Sequence, residues 1–393
     1  MKSLILSSVL TGFLLIQVVC TANSPVALSR NAHISLLTCD PGQQLYSSFG
    51  HSAFRVYDPI NKINKVYNYG TFDFDAPNFY LNFVKGHLNY MLSTINYNYF
   101  EEEYVSENRA IYEQVFNLDS SDNQLLYEYL EQNALPENKY YLYDFLYNNC
   151  STKIRDVLQA VFGDRIILNT EVNSRSFRQM IQPYLKDQPW TDFGIMLVFG
   201  LPPDKIASGS EAMFLPTELM NAMKNVEIET NISKQKLVSQ TVCIFQSTQI
   251  EIVTPFWQHP FFVFSIISLL CLLLSVIQLI YKRQFIAIDI VLFAFAGLLG
   301  VLFVFLWTVT AHHSTAANMN LLWASPFHLV AVLLLRRLKQ NIILRYYFLF
   351  YSVIIAIVCA TWYVLPQELP TAMLPFSIVL SIRAALLFHQ NAE

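Results

Sequence analysis

Charge is scarce in this chain. Lys, Arg, Asp and Glu make up 14% of its 393 residues, while 54% are hydrophobic. Soluble globular chains carry about a quarter of their residues as charges. The shortage, with a mean hydropathy of +0.35, therefore points to a membrane region. Basic residues are fewer than acidic ones, 25 against 29, and form no stripe, which argues against nucleic acid as a partner. No C-x-x-C or H-E-x-x-H occurs and the eight histidines are scattered, so no metal site is expected. There is no G-x-S-x-G elbow and no glycine loop that would cradle a phosphate, so no cofactor is expected either. Internal repeats and low-complexity tracts are also missing.

What charge there is lies unevenly. Seven of the 25 Lys/Arg but only three of the 29 acids follow residue 252, leaving the rest mildly acidic. Residues 1–22 read as an export signal, with Lys2, an apolar run from Leu4 to Val19 and a small-residue site at Cys20-Thr-Ala22. Cleavage after Ala22 is favoured over lipoprotein-type processing at Cys20, because Val19 is bulky for the residue before such a cysteine. An uncleaved anchor is the third alternative. Export implies an oxidising compartment. Cys271 and Cys359 fall in apolar spans, which leaves Cys39, Cys150 and Cys243, an odd number. A Cys39–Cys243 pair is the one that would leave Cys150 free.

Residues 23–255 read as one exported α+β domain. His33–Cys39 predicts a strand closed by the Asp40-Pro-Gly42 turn, and His51–Tyr57 and Lys65–Phe72 predict two more. The pattern turns helical between 98 and 135, with Ser120 as a capping candidate, and a further helix follows Cys150. Residues 256–393 read as about five membrane-spanning helices: His259–Tyr281, Ile286–Ala311, Asn320–Leu335 interrupted by Pro326 and His328, Leu344–Leu365, and Thr371–Leu387 holding Arg383. Lys282-Arg283 and Arg336-Arg337-Leu-Lys339 mark the cytoplasmic side. The exported domain, the His312-His313 loop and the Pro366–Pro370 loop then share the other face. Helical spans indicate an inner membrane, since outer-membrane spans are β-barrels.

Cys150 stands where Asn148-Asn149 gives way to an amphipathic run of Ile154, Val157, Leu158 and Val161. A thiol at a helix start meets unsatisfied N–H groups and the positive end of the dipole, both of which favour the nucleophilic thiolate. Asn148 or Asn149 would cap the helix, and the Cys150 N–H would help form an oxyanion hole. A buried structural cysteine is the plain alternative. His51, at the mouth of a strand, is the candidate general base; a turn histidine beside Gly50 is its plain alternative. Such a base needs an orienting partner. Asn68 on the next strand is the candidate, with Tyr69 behind it. Cys39 follows a strand and lacks dipole activation, so a structural or disulfide role is expected. Arg55 shares the His51 face and could meet a phosphate or carboxylate, or form a surface ion pair. His312 and His313 could hold a lipid headgroup or be wet loop.

Several blocks together resemble the N-terminal periplasmic domain of Lnb-type lipoprotein N-acyltransferases. These are Leu36-Leu-Thr-Cys-Asp-Pro-Gly42, Tyr46-Ser-Ser-Phe-Gly-His51, Tyr69-Gly-Thr-Phe-Asp-Phe74, Pro77-Asn-Phe-Tyr80 and Tyr143-Asp-Phe-Leu-Tyr-Asn-Asn-Cys-Ser-Thr152. The order of His before Cys is also similar to permuted NlpC-type papain-like folds, including lecithin:retinol acyltransferase. The resemblance implies a papain-like domain followed by membrane helices. It implies a phospholipid acyl donor, a Cys150 thioester assisted by His51, and a diacylated lipoprotein whose α-amino group accepts the chain. It does not fix the third catalytic residue. A membrane-anchored thiol hydrolase of peptides or lipid esters, and a non-catalytic receptor or assembly factor, are the competing readings.

Overall fold

A computed structural model of the chain describes residues 26–169, 173–230, 233–248 and 254–389. The segment read as an export signal lies outside the described residues. The N-terminal domain is built on β1 (His33–Cys39), flanked by β2 (His51–Asp58) and β5 (Ile111–Phe116), all antiparallel. Six of the seven β1 residues are buried, as befits an apolar strand covered on both faces. The sheet continues through β3 (Ile63–Thr71), β4 (Asn89–Asn96) and β6 (Tyr140–Leu142) on one side. On the other side β10 (Val238–Phe245) pairs with β5. A small second sheet joins β7 (Ile166–Ile167), β8 (Glu227–Glu229) and β9 (Lys234–Lys236).

The three strands expected from sequence are present, and β3 starts two residues earlier because its pairing with β2 extends to Asp58 and Ile63. Asp58 closes that hairpin by accepting hydrogen bonds from the N–H groups of Ile60 and Asn61, at 3.0 and 3.2 Å. Helix α1 (Phe79–Lys85) precedes β4, α2 (Tyr97–Ser106) follows it, and α3 (Ser120–Asn133) follows β5. Asp119, rather than Ser120, caps α3 by accepting from the Asp122 N–H. Helix α4 (Cys150–Phe162) lays Ile154, Val157 and Leu158 into the core under the sheet, beside Phe54 and Tyr67. Helices α5 (Phe177–Ile181), α6 (Pro189–Val198) and α7 (Pro216–Met223) complete the domain.

Of the two roles open to Cys39, structural or disulfide, the disulfide with Cys243 is ruled out. Cys39 and Cys243 are both free thiols. Strand β5 lies between their strands, so they sit two strand spacings apart, roughly 10 Å, beyond the reach of a disulfide.

The membrane domain holds α8 (Pro260–Tyr281), α9 (Ile286–Thr308), α10 (Phe327–Leu334), α11 (Ile342–Ala360) and α12 (Met373–His389). Among the described residues four segments are long and apolar enough to cross a bilayer, and α12 is a shorter apolar helix. The third span is broken as Pro326 foretold, with 3-10 turns at Met319–Leu322 and Leu335–Gln340 around α10. Arg383 in α12 makes a bidentate pair with Asp289 of α9 at 2.7 and 2.8 Å, and also bonds Ser275 and Gln278 of α8. The charge inside the bundle is therefore fully partnered. Gln278, Arg336 and Lys339 border one cavity, so the two basic turns share one end of the bundle.

The N-terminal domain is docked on the opposite end. The Gly200 and Leu201 N–H groups donate to the carbonyls of Ser314 and Ala316 at 2.9 and 3.0 Å. Asn318 and Asn320 donate to the Leu197 carbonyl, and Gln367 to that of Phe199. A Cβ on Gly200 would lie 1.8 Å from the Ala316 carbonyl oxygen. Gly200→Ala is therefore expected to cost ~1–3 kcal/mol through forced separation of the two domains. Thermal unfolding in detergent should show a lowered midpoint; an unchanged midpoint would contradict this account of the junction.

Candidate active site

Cys150 is the first residue of α4, and the resolved cap is Asn149. The Asn149 Oδ1 accepts from the N–H groups of Ser151 and Thr152 at 2.9 and 3.0 Å. In return the Thr152 Oγ1 accepts a capping-box bond from the Asn149 N–H at 2.8 Å. The Asn149 amide donates to the carbonyls of Phe145 and Phe214, both at 2.8 Å. Asn149 is thus committed to placing the cysteine. Asn148 instead bonds the Leu142 carbonyl.

His51 opens β2, directly opposite Cys39 in the strand register. Gly50, in a left-handed conformation with φ +82°, turns the chain into that strand; a Cβ there would meet the Cys39 carbonyl at 2.6 Å. The imidazole lies beside Cys150 on one side, where the two groups shift each other's pKa. On the other, its Nε2 faces the Asn68 Oδ1 at 3.3 Å. With an oxygen as partner, Nε2 carries the proton, which leaves Nδ1 as the basic nitrogen available to the thiol. The Tyr104 ring stacks on the imidazole at 6.4 Å, and the Arg109 guanidinium lies over that ring at 4.4 Å.

Burial works against both charges of a thiolate–imidazolium pair, yet the pair's own attraction prevails. For Cys150, burial raises the thiol pKa, but the neighbouring His51 charge, its hydrogen bond, and bonds from the Ser52 N–H and Ser151 lower it overall. For His51, burial lowers the pKa, but Cys150 and the bond to Asn68 raise it above the ordinary value. Cys39 goes the other way: burial pushes its thiol well up, so it stays protonated and inert.

The remaining expected residues are placed as follows. Tyr69 points away from Asn68 into the core, where its ring meets Tyr141 edge-on at 6.2 Å. Arg55 pairs with the buried Glu113 at 3.0 Å, bonds Asn64 and lies over the Tyr97 ring. His312 donates from Nε2 to the Phe83 carbonyl at 2.9 Å, and His313 packs edge-on against Tyr147. None of these four lines the cleft of about 230 Å³ that holds Cys150, His51 and Asn149. Among the described residues no cluster could hold a metal ion. Sequence reading passed over the serines beside the pair. Ser52 and Ser151 share a hydrogen bond of 3.1 Å that ties β2 to the start of α4, and their positions next to His51 and Cys150 were the available signal.

A helix-borne thiol, a strand-borne imidazole and an amide behind it, on an antiparallel sheet docked to membrane helices, define a membrane-attached protein of papain-like design. The model of the Lnb N-terminal periplasmic domain matches residues 27–182, and that of the Lnb transmembrane domain matches residues 251–392. The chain belongs to the Lnb family. No curated protein and no solved structure matches it.

The shifted pKa values carry a test. Alkylation of Cys150 by iodoacetamide, followed by peptide mass spectrometry to separate it from the exposed Cys243, should persist below the ordinary thiol range near ~8.5. Removing the imidazole removes the charge that favours the thiolate, so His51→Ala should move the apparent pKa upward. Asn68→Ala should move it less. An unchanged pKa in His51→Ala contradicts the pairing.

Proposed function

We propose that the protein is a lipoprotein N-acyltransferase. The observation that carries this reading is the Cys150–His51–Asn68 alignment at a capped helix start, in a domain docked on membrane helices. In the first half-reaction the Cys150 thiolate attacks the carbonyl of a phospholipid ester. The C–S bond forms, the ester C–O bond breaks, and His51 returns its proton to the departing lysophospholipid oxygen. In the second, the neutral α-amino group of a diacylglyceryl-cysteine attacks the thioester. The C–N bond forms, His51 takes the amine proton, and the Cys150 thiolate leaves. Asn68 holds the imidazole in the orientation and tautomer that both halves need. The Cys150 N–H, first in its helix, supplies an oxyanion donor.

The domain assignment that goes with this reading is a signal at 1–22, a periplasmic transferase domain at 23–255 and a membrane domain at 256–393, in an inner membrane. Confining donor, acceptor and enzyme to one bilayer removes much of the entropic cost of bringing them together. A thiol hydrolase would share the first half-reaction and use water in the second. The attachment of the domain to several membrane helices favours transfer between two bilayer-held lipids.

Mass spectrometry of lipoprotein N-terminal peptides, from cells lacking the protein and complemented with wild type or Cys150→Ala, tests the proposal. Wild type should restore an N-acyl chain and Cys150→Ala should not, while still inserting in the membrane. An N-acyl chain in the Cys150→Ala strain would reject the nucleophile.

A further inference from the structure

Helix α1 and the residues before it are apolar on the outside. No side chain of α1 is buried. Phe74, Tyr80, Leu81, Phe83 and Val84 are 54%, 72%, 52%, 48% and 47% exposed. Such a cluster on a water-facing surface marks a contact with something apolar. Its position says what that is. The Ala311 N–H donates to the Lys85 carbonyl at 2.7 Å, and His312 donates to that of Phe83. Ala311 follows the end of α9 by three residues, and Trp307 and Val309 there are outward-facing. Helix α1 is therefore fastened at the level where a membrane span leaves the bilayer, and its apolar surface continues that of the span. Lys85, in its last turn, is placed to meet headgroup phosphates.

Behind α1 a run of aromatic rings leads inward. Phe83 meets Phe79 at 6.2 Å, Phe79 meets Phe72 at 5.9 Å, Phe72 meets Tyr90 at 5.0 Å, and Tyr90 stacks on Tyr143 at 4.4 Å. Phe72, Tyr90 and Tyr143 line the cleft of Cys150. A neighbouring cavity of about 280 Å³, bordered by Phe79 and Phe83, shares Phe72 and Tyr90 with that cleft. An apolar wall thus runs from the membrane surface to the thiol.

We infer that α1 inserts into the bilayer interface and that an acyl chain of a glycerophospholipid reaches Cys150 along this wall. The passage rests on the acyl-transfer reading above; the insertion does not. Both are tested on the full-length chain in nanodiscs of phosphatidylethanolamine and phosphatidylglycerol. The photoreactive residue p-benzoylphenylalanine is placed at Leu81, at Val84, or at the exposed Ile60, which lies at the far end of β2 from His51. Phospholipid adducts are expected at the first two positions and not at Ile60. No adduct at Leu81 and Val84, or equal yield at all three, overturns the insertion. In a second arm, Leu81→Asp with Val84→Asp should slow acylation of Cys150 by nanodisc phospholipid roughly tenfold or more. Alkylation of Cys150 by iodoacetamide should stay within about twofold of wild type, which separates lost lipid access from lost folding. Undiminished acylation overturns the passage. A wild type that gives adducts at α1 but no acyl-enzyme overturns the passage and the acyl-transfer reading together, and upholds the insertion.

Discussion

Four hydrogen bonds of the Asn149 side chain and one of its N–H set the position of the thiol. Two cap the first turn of α4, one runs from the Asn149 N–H to the Thr152 hydroxyl oxygen, and two reach the carbonyls of Phe145 and Phe214. A helix cap contributes about 1 kcal/mol, and each buried carbonyl left without a donor costs about 1–3 kcal/mol. The arrangement is thus costly to disturb, and it fixes Cys150 in the first turn of the helix, where the dipole favours a thiolate. The Ser52–Ser151 contact then locks that position to the strand bearing His51. Reactivity here is a consequence of packing: the same contacts that close the core under the sheet set the distance between thiol and imidazole.

A second constraint comes from the bilayer. The proposed transfer needs the thiol at a fixed height above it, which a flexible tether could not ensure. The chain meets this with backbone bonds between residues 200–201 and 314–316 and with Asn318, Asn320 and Gln367 reaching back into the N-terminal domain. Arg178 stiffens the same junction from within, paired to Asp204 at 2.9 Å and bonded to the Gly200 carbonyl at 2.9 Å. Below, the Asp289–Arg383 pair ties α9 to α12, and Ser275 and Gln278 bring in α8. The loop histidines belong to this clamp, with His312 gripping α1 and His313 packed on Tyr147.

Much of this was legible in the sequence. The apolar spans, the central strand His33–Cys39 and the helix after Cys150 follow from local patterns, because period and capping are written within a few residues. The Cys150, His51 and Asn68 alignment was also within reach, since a base on one strand finds its partner on the next. Other features were not legible because they depend on contacts distant in sequence. Strand β10 joins the sheet from residue 238, and nothing near it signals β5 as its neighbour. Glu113, which takes Arg55, is 58 residues away. Tyr69 neighbours Asn68 in sequence, but strand alternation turns it to the opposite face, where it joins the core. Of the exposed apolar face of α1 only Tyr80 falls within the motif Pro77-Asn-Phe-Tyr80, and the contact with residues 311–312 that gives the face its place is distant in sequence.

On the proposed mechanism Cys150 carries an acyl group taken from a membrane lipid. Intact-protein mass spectrometry of the purified full-length chain, after incubation with a phospholipid of one defined acyl chain and no amine acceptor, tests it most directly. The account predicts a mass increase equal to that acyl chain, lost on treatment with hydroxylamine and mapped to the peptide bearing Cys150. An unmodified Cys150 alongside released free fatty acid would contradict it and establish hydrolysis as the chemistry of this site.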